Sequence, residues 1–102
     1  MPSINYEYVP FAGEALSVTG TAIGVTTATA FPGVGLGAKK AVGDVQVAAV
    51  RFRLDGTAPT ATVGHIAEVG DAINLDEPNE VVNFSAIRKD GVTATIFFTF
   101  ER

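Results

Sequence analysis

Apolar and polar side chains alternate along most of this chain, with the period of two that predicts strands half-buried on a core. Ser3–Val9 sets Ile4, Tyr6 and Tyr8 against Asn5, Glu7 and Val9, and Pro10, which has no N–H, is expected to end that N-terminal strand. Glu14–Thr19 and Thr21–Thr27 follow as shorter strands hinged at Gly20. The longest alternating run is Val42–Leu54, with Gln46, Ala48, Val50, Phe52 and Leu54 on one side and Val45, Val47, Ala49, Arg51 and Arg53 on the other. Ala61–Ala67 and Ala72–Leu75 are predicted strands around a turn at Gly70-Asp71, and Asp76–Glu80 is expected to be a loop. Between the early strands and the long run, Gly33, Gly35 and Gly37 occupy alternate positions, so a Gly-rich irregular loop is expected near 32–40.

The last segment predicts a hairpin. Asp90-Gly91 is the dipeptide favoured by a type I′ turn, whose central residues both need positive φ. A two-residue loop there would place Ile87 opposite Ala94 and Ser85 opposite Ile96. One face would then carry Val81, Ile87, Ala94, Ile96, Phe98 and Phe100 as a core. The other would oppose Phe84 and Phe97 directly on a Thr-lined surface, a covered aromatic patch. A bulged three-residue loop would shift this register.

Composition agrees with strands. Val, Ile and Thr supply 30 of the 102 residues while Leu supplies four and Lys three, which favours a pleated sheet over helices. Turns recur about every ten residues, the rhythm of a sandwich or small barrel. The expected fold is all-β: one domain, built as a small antiparallel β-sandwich or jelly-roll-like barrel. The net charge of -4 and the scarcity of basic clusters (Lys39-Lys40 and Arg88-Lys89) argue against nucleic acid as a partner. No apolar run approaches the roughly 20 residues of a membrane span. Met1-Pro2-Ser3-Ile4-Asn5 lacks the basic and apolar regions of a signal peptide, so synthesis in a cytoplasm is expected.

Chemistry finds little to build on. There is no Cys and one His, His65, which removes thiolate sites and His clusters. Gly33-Val34-Gly35-Leu36-Gly37-Ala38 matches G-x-G-x-x-G/A formally, but that motif works only between a strand and a helix, and no crossover helix follows. Asp76, Glu77, Asn79 and Glu80 lack EF-hand spacing and read as a solvated acidic loop. Ser3, Ser17 and Ser85 stand outside a nucleophile-elbow frame. A non-enzymatic protein is expected, with no catalytic, cofactor-binding or metal-ligating residue.

The residues that remain are suited to contact. Arg51 and Arg53 emerge on one face two residues apart, either solvated or meeting a partner's carboxylates and backbone carbonyls. Tyr6 and Tyr8 are either core aromatics or anchors for a neighbouring subunit, and with Phe11 they can form an aromatic platform.

The run from Val50 to His65 carries the pattern R-x-R-x-D-G-T-x-P-T-x-x-x-G-H, and Gly70-Asp71-Ala72-Ile73 and Phe84-Ser85-Ala86-Ile87-Arg88 follow it. Together with the Thr-rich final strand, these residues resemble a group of small structural proteins of tailed bacteriophages. The resemblance covers about half the chain, and the Gly33–Gly37 stretch departs from it. It implies a compact β-sandwich or jelly-roll-like module of the virion, most simply a capsid decoration, or cement, protein that binds the major capsid protein shell. A head-fibre, tail or connector component with a host-surface or glycan-binding role is the alternative. Copies are expected to associate, as trimers at shell three-fold positions. Within the pattern, Asp55 reads as an Asx turn, Gly56 as a positive-φ position and Pro59 as a fixed φ.

Overall fold

The computed structural model describes residues 9–31, 33 and 37–102. In chain order the elements are β1 (Pro10–Val18), α1 (Thr27–Ala30), β2 (Lys40–Gln46), β3 (Val50–Arg53), β4 (His65–Ala67), β5 (Ala72–Leu75), α2 (Pro78–Asn83), β6 (Ser85–Arg88) and β7 (Ala94–Glu101). Every ladder is antiparallel. The strands form a four-stranded sheet ordered β1-β7-β2-β5 and a three-stranded sheet ordered β4-β3-β6. The chain is a small all-β domain with a sandwich-like arrangement.

Alternation decides which side chains enter the core. Leu16 and Val18 of β1, Ala41 and Val45 of β2, Ile73 and Leu75 of β5, and Ile96, Phe98 and Phe100 of β7 all point inward and are buried. The three-stranded sheet answers with Val50, Ala67 and Ala86. Gly43 is on the inner side of β2 because a Cβ there would lie 2.7 Å from the Phe98 ring and 2.8 Å from the Ile96 Cγ2 methyl. Its missing side chain is the space in which Phe98 lies.

Val42–Leu54 is not one strand. At Val47 the Ala48 N–H donates back to the Gln46 carbonyl at 2.9 Å, and Val47 takes φ +76. This is a γ-turn of the strained, positive-φ kind. Before it the odd positions Ala41, Gly43 and Val45 are inward; after it the even positions Val50 and Phe52 are. The turn slips the alternation by one residue and sends β2 to one sheet and β3 to the other.

The expected C-terminal hairpin does not form either. β6 pairs with β3, whereas β7 lies between β1 and β2. The corner at Asp90-Gly91 carries a Val92 N–H to Asp90 C=O bond of 2.7 Å, and neither Asp90 nor Gly91 takes a positive φ. A local turn preference lost to tertiary packing. As a central strand β7 ladders on both edges and buries Ile96, Phe98 and Phe100, which pairing with β6 alone could not achieve.

Smaller differences have equally direct causes. Pro10 opens β1, a position where a missing N–H is tolerated. Thr21–Thr27 contributes one bridge, Ile23 to Ala86, rather than a strand. Only His65–Ala67 of the expected Ala61–Ala67 strand is paired. Asp76–Glu80 runs into α2, whose first turn holds Pro78, where its fixed φ suits a helix start. That helix places Val81 in the core and Val82 in solvent. The predicted strand 3–9 lies outside the described residues except for Val9, as do Pro32 and residues 34–36 of the Gly-rich loop.

Candidate functional site

The pattern from Arg51 to His65 spans β3, the connection to β4 and the start of β4. On β3, Val50 and Phe52 turn toward the core, so Arg51 and Arg53 project from the outer face of the three-stranded sheet. There Arg51 lies in register with Ile66 of β4 and Ile87 of β6, and Arg53 with Ser85. Their spacing matches the sequence expectation. Within the chain both find partners in the loop that follows β3.

Arg51 donates from Nε to the Ala61 carbonyl at 2.8 Å and from Nη1 to the Gly64 carbonyl at 3.1 Å. One guanidinium thus ties down both shoulders of the loop, the planar fork that Lys could not replace. Arg53 pairs with Asp55 through Nε to Oδ1 at 3.2 Å and Nη2 to Oδ2 at 2.5 Å. Asp55 Oδ1 also accepts the Thr57 N–H at 3.1 Å, the expected Asx turn. The Arg53 hydrogen bond, and after it the Thr57 N–H, hold the Asp55 carboxyl below its ordinary value of 3.8. The same pair raises the Arg53 guanidinium.

Further along, Thr60 Oγ1 accepts the N–H groups of Thr62 at 3.3 Å and Val63 at 3.0 Å. Gly56 has φ +84 and Gly64 φ +140, conformations that L side chains avoid. Pro59 is buried. His65 begins β4 and sets its ring 5.4 Å from that of Phe52. The sequence signals of these two turns are the Thr60-Ala61-Thr62 spacing and a glycine just before a strand.

The loop therefore closes on itself and leaves Thr57, Ala58, Thr60, Ala61, Thr62 and Val63 exposed. None is charged. An open hollow of about 520 Å³ lies to one side, lined by Arg53, Leu54, Asp55, Val63, Gly64 and His65. A second, of about 310 Å³, runs from Ala61 to Ile87 and the Lys89–Gly91 corner. Ala61 borders the second hollow and Val63 the first, so the exposed segment Ala61–Val63 is a ridge that adjoins both. The charged groups of the first hollow are spent on each other, so it offers shape and the apolar surfaces of Leu54 and Val63 rather than a free charge.

The other expected contact residues are scattered. Tyr6 and Tyr8 lie outside the described residues. Phe11 sits at the bulge of β1, partly buried against the core, with the Arg102 guanidinium carbon 4.3 Å from its ring centroid. Phe84 and Phe97 do not meet as a patch. Phe84 is 2% exposed and packs its ring 6.0 Å from Phe52 and 5.0 Å, edge-on, from Phe98, bridging the two sheets. Phe97 is 45% exposed on the outer face of the four-stranded sheet. Their separation follows from the assignment of β6 and β7 to different sheets. Gly70 takes φ +92 and Asp71 closes its turn, accepting the Glu68 N–H on Oδ2 at 2.8 Å.

Among the described residues no group of three or more His, Asp or Glu side chains converges as a metal site, and no helix is long and apolar enough to cross a membrane. No protein-family model, curated protein or solved structure matches the chain.

Proposed function

We propose that this chain is a non-enzymatic virion structural protein of a tailed bacteriophage, a capsid decoration protein that stabilises the head by binding the major capsid protein shell. The observation that carries this reading is the economy of the β3–β4 loop. The residues of the pattern that resembles phage structural proteins spend their hydrogen bonds within the loop: Arg51 on Ala61 and Gly64, Arg53 on Asp55, Asp55 on Thr57, Thr60 on Val63. A loop held this way has little side-chain chemistry left over. It keeps an uncharged ridge of fixed shape that adjoins two hollows, which suits recognition of another protein surface without a large ordering cost.

In this reading the ridge at Ala61–Val63 seats against the shell, and the adjoining hollows receive partner side chains. The test uses shells assembled from the major capsid protein of the phage that carries this gene in the proposed reading. The purified protein is expected to co-sediment with them and to raise the denaturant concentration at which they come apart. Ala61→Glu, an exposed change that spares the ladders, is expected to abolish both effects. A cryo-EM map of the virion with no density for the protein on the head would overturn the proposal, and density at a fibre or tail would favour the host-surface role.

A further inference from the structure

β1 is an edge strand of the four-stranded sheet, and at nine residues it is the longest strand in the described structure. The direction of its hydrogen bonds can be followed from the far side of β7. Lys39 donates its N–H to the Glu101 carbonyl at 2.8 Å, so Glu101 turns its backbone toward β2. Because direction alternates along a strand, Thr99, Phe97 and Thr95 do the same. Phe100, Phe98, Ile96 and Ala94 therefore face β1, where they meet Ala12, Glu14, Leu16 and Val18. Val9 and Arg102, which exchange N–H to C=O bonds of 2.9 and 3.0 Å, continue the same order.

What remains is Gly13, Ala15 and Ser17, whose N–H and C=O groups turn to the open edge. All three are exposed, and among the described residues no backbone group bonds to them. Their side chains are small and uncharged. Natural sheets usually blunt such an edge with Lys, Pro or a bulge in mid-strand. Here the bulge and Pro10 sit at the first turn of the strand, upstream of these three residues. The chain after β1 crosses to the opposite sheet, where Thr19 and Ile23 bond to Arg88 and Ala86, and it returns to β1 only at Thr26, which donates its N–H to the Glu14 carboxylate at 2.9 Å.

We propose that this edge pairs with the same edge of a second copy of the chain, antiparallel about a two-fold axis at Ala15. Centred there, Ala15 faces its own copy and Gly13 faces Ser17, so every edge-directed group finds a partner and six hydrogen bonds form across three residue pairs. Glu14, the one charged residue of β1, then stands opposite Leu16 of the second copy. Centring on Glu14 would oppose two carboxylates, and centring on Leu16 would place Gly13 opposite Thr19, which has left the strand. The register at Ala15 alone uses all three residues without a like-charge pair. The two four-stranded sheets become one continuous sheet. This two-fold pair takes the place of the three-fold association expected from the resemblance.

The pairing is measured on the isolated protein, so its outcome is independent of shell binding. Light scattering after size exclusion is expected to give twice the 10.6 kDa chain mass. Ala15→Pro removes an N–H that the β1–β7 ladder does not use, and is expected to halve that mass with the far-UV circular dichroism unchanged. Ala15→Lys, which charges the edge, serves if the proline variant fails to fold. With no native Cys, Ala15→Cys is expected to give a disulfide-linked pair under mild oxidant. Its Cα atoms would lie roughly 5.5 Å apart, inside the range of a disulfide. Ser17→Cys, with its copies more than about 13 Å apart, is expected to stay unlinked. A wild-type monomer or trimer overturns the proposal, as does a dimer that survives Ala15→Lys or cross-links better through Ser17→Cys.

Discussion

Replacing Phe84 by Ala tests the placement of the last two strands most directly. The ring is 2% exposed and lies between Phe52 at 6.0 Å and Phe98 at 5.0 Å. Burying a phenyl side chain is worth roughly 1.5–3 kcal/mol, and the edge-on contact with Phe98 adds roughly 0.5–1.5 kcal/mol. Truncation also leaves a cavity between two laddered sheets that cannot collapse into it, so the total loss is expected at about 3–5 kcal/mol. Stability of a domain this size is on the order of 5–15 kcal/mol, so the variant keeps its fold with a much-reduced margin. Its Tm falls by roughly 12 °C or more. Phe97→Ala is the internal control. Phe97 is 45% exposed and opens no cavity, so its removal is expected to cost about 1 kcal/mol. Urea unfolding followed by far-UV circular dichroism measures both, which suits a chain without Trp. Equal costs to within about 1 kcal/mol would mean that the two rings share one environment, as the hairpin register requires, and the two-sheet assignment would fall.

Gly91→Ala is expected to be neutral or to stabilise by about 0.4–1 kcal/mol, because Gly91 takes no positive φ and has open space around it. Gly70→Ala, equally open but at φ +92, is expected to cost about 1 kcal/mol; thermal melts of the two compare them side by side. Val47→Gly is expected to raise stability by about 0.5–1 kcal/mol in the same assay, since a β-branched residue at φ +76 is strained and its side chain is 69% exposed. Asp55→Asn is expected to lower the melting temperature modestly at neutral pH. The folded carboxyl is held below its ordinary value of 3.8, so its contribution is present above that pH and is lost as pH falls through the lowered value. Wild type and variant should therefore converge in acid, and a gap that persists there would mean the ion pair with Arg53 is not its source.

How much could be read in advance differs from element to element. Ala72–Leu75 appears as predicted because a short alternating run between two turns leaves one way to face a core. The outward placement of Arg51 and Arg53 was legible for the same reason: it depends only on the parity of Val50 and Phe52. Their partners were not, because the carbonyls of Ala61 and Gly64 are brought to Arg51 by a loop whose path depends on Gly64 at φ +140. The paired identity of Phe84 and Phe97 failed because it rested on a local turn signal, which a central strand with two ladders outweighs.

The residues themselves determined the class of this protein. Thirty β-branched Val, Ile and Thr residues, frequent turns and alternating faces leave an antiparallel β architecture as the favourable way to bury the apolar half of each strand. Tertiary structure alone decided which strands share a sheet. Alternation says which side of a strand is apolar, but both sheets of a sandwich offer the same apolar inner face. Assignment between them comes from long-range closure: the γ-turn at Val47, the corner at Gly91 and the fit of Phe98 over Gly43. The open edge at Gly13, Ala15 and Ser17 is a product of that closure too. In sequence they are three small residues, and they form an edge because β1 has β7 on one side and, among the described residues, no strand on the other.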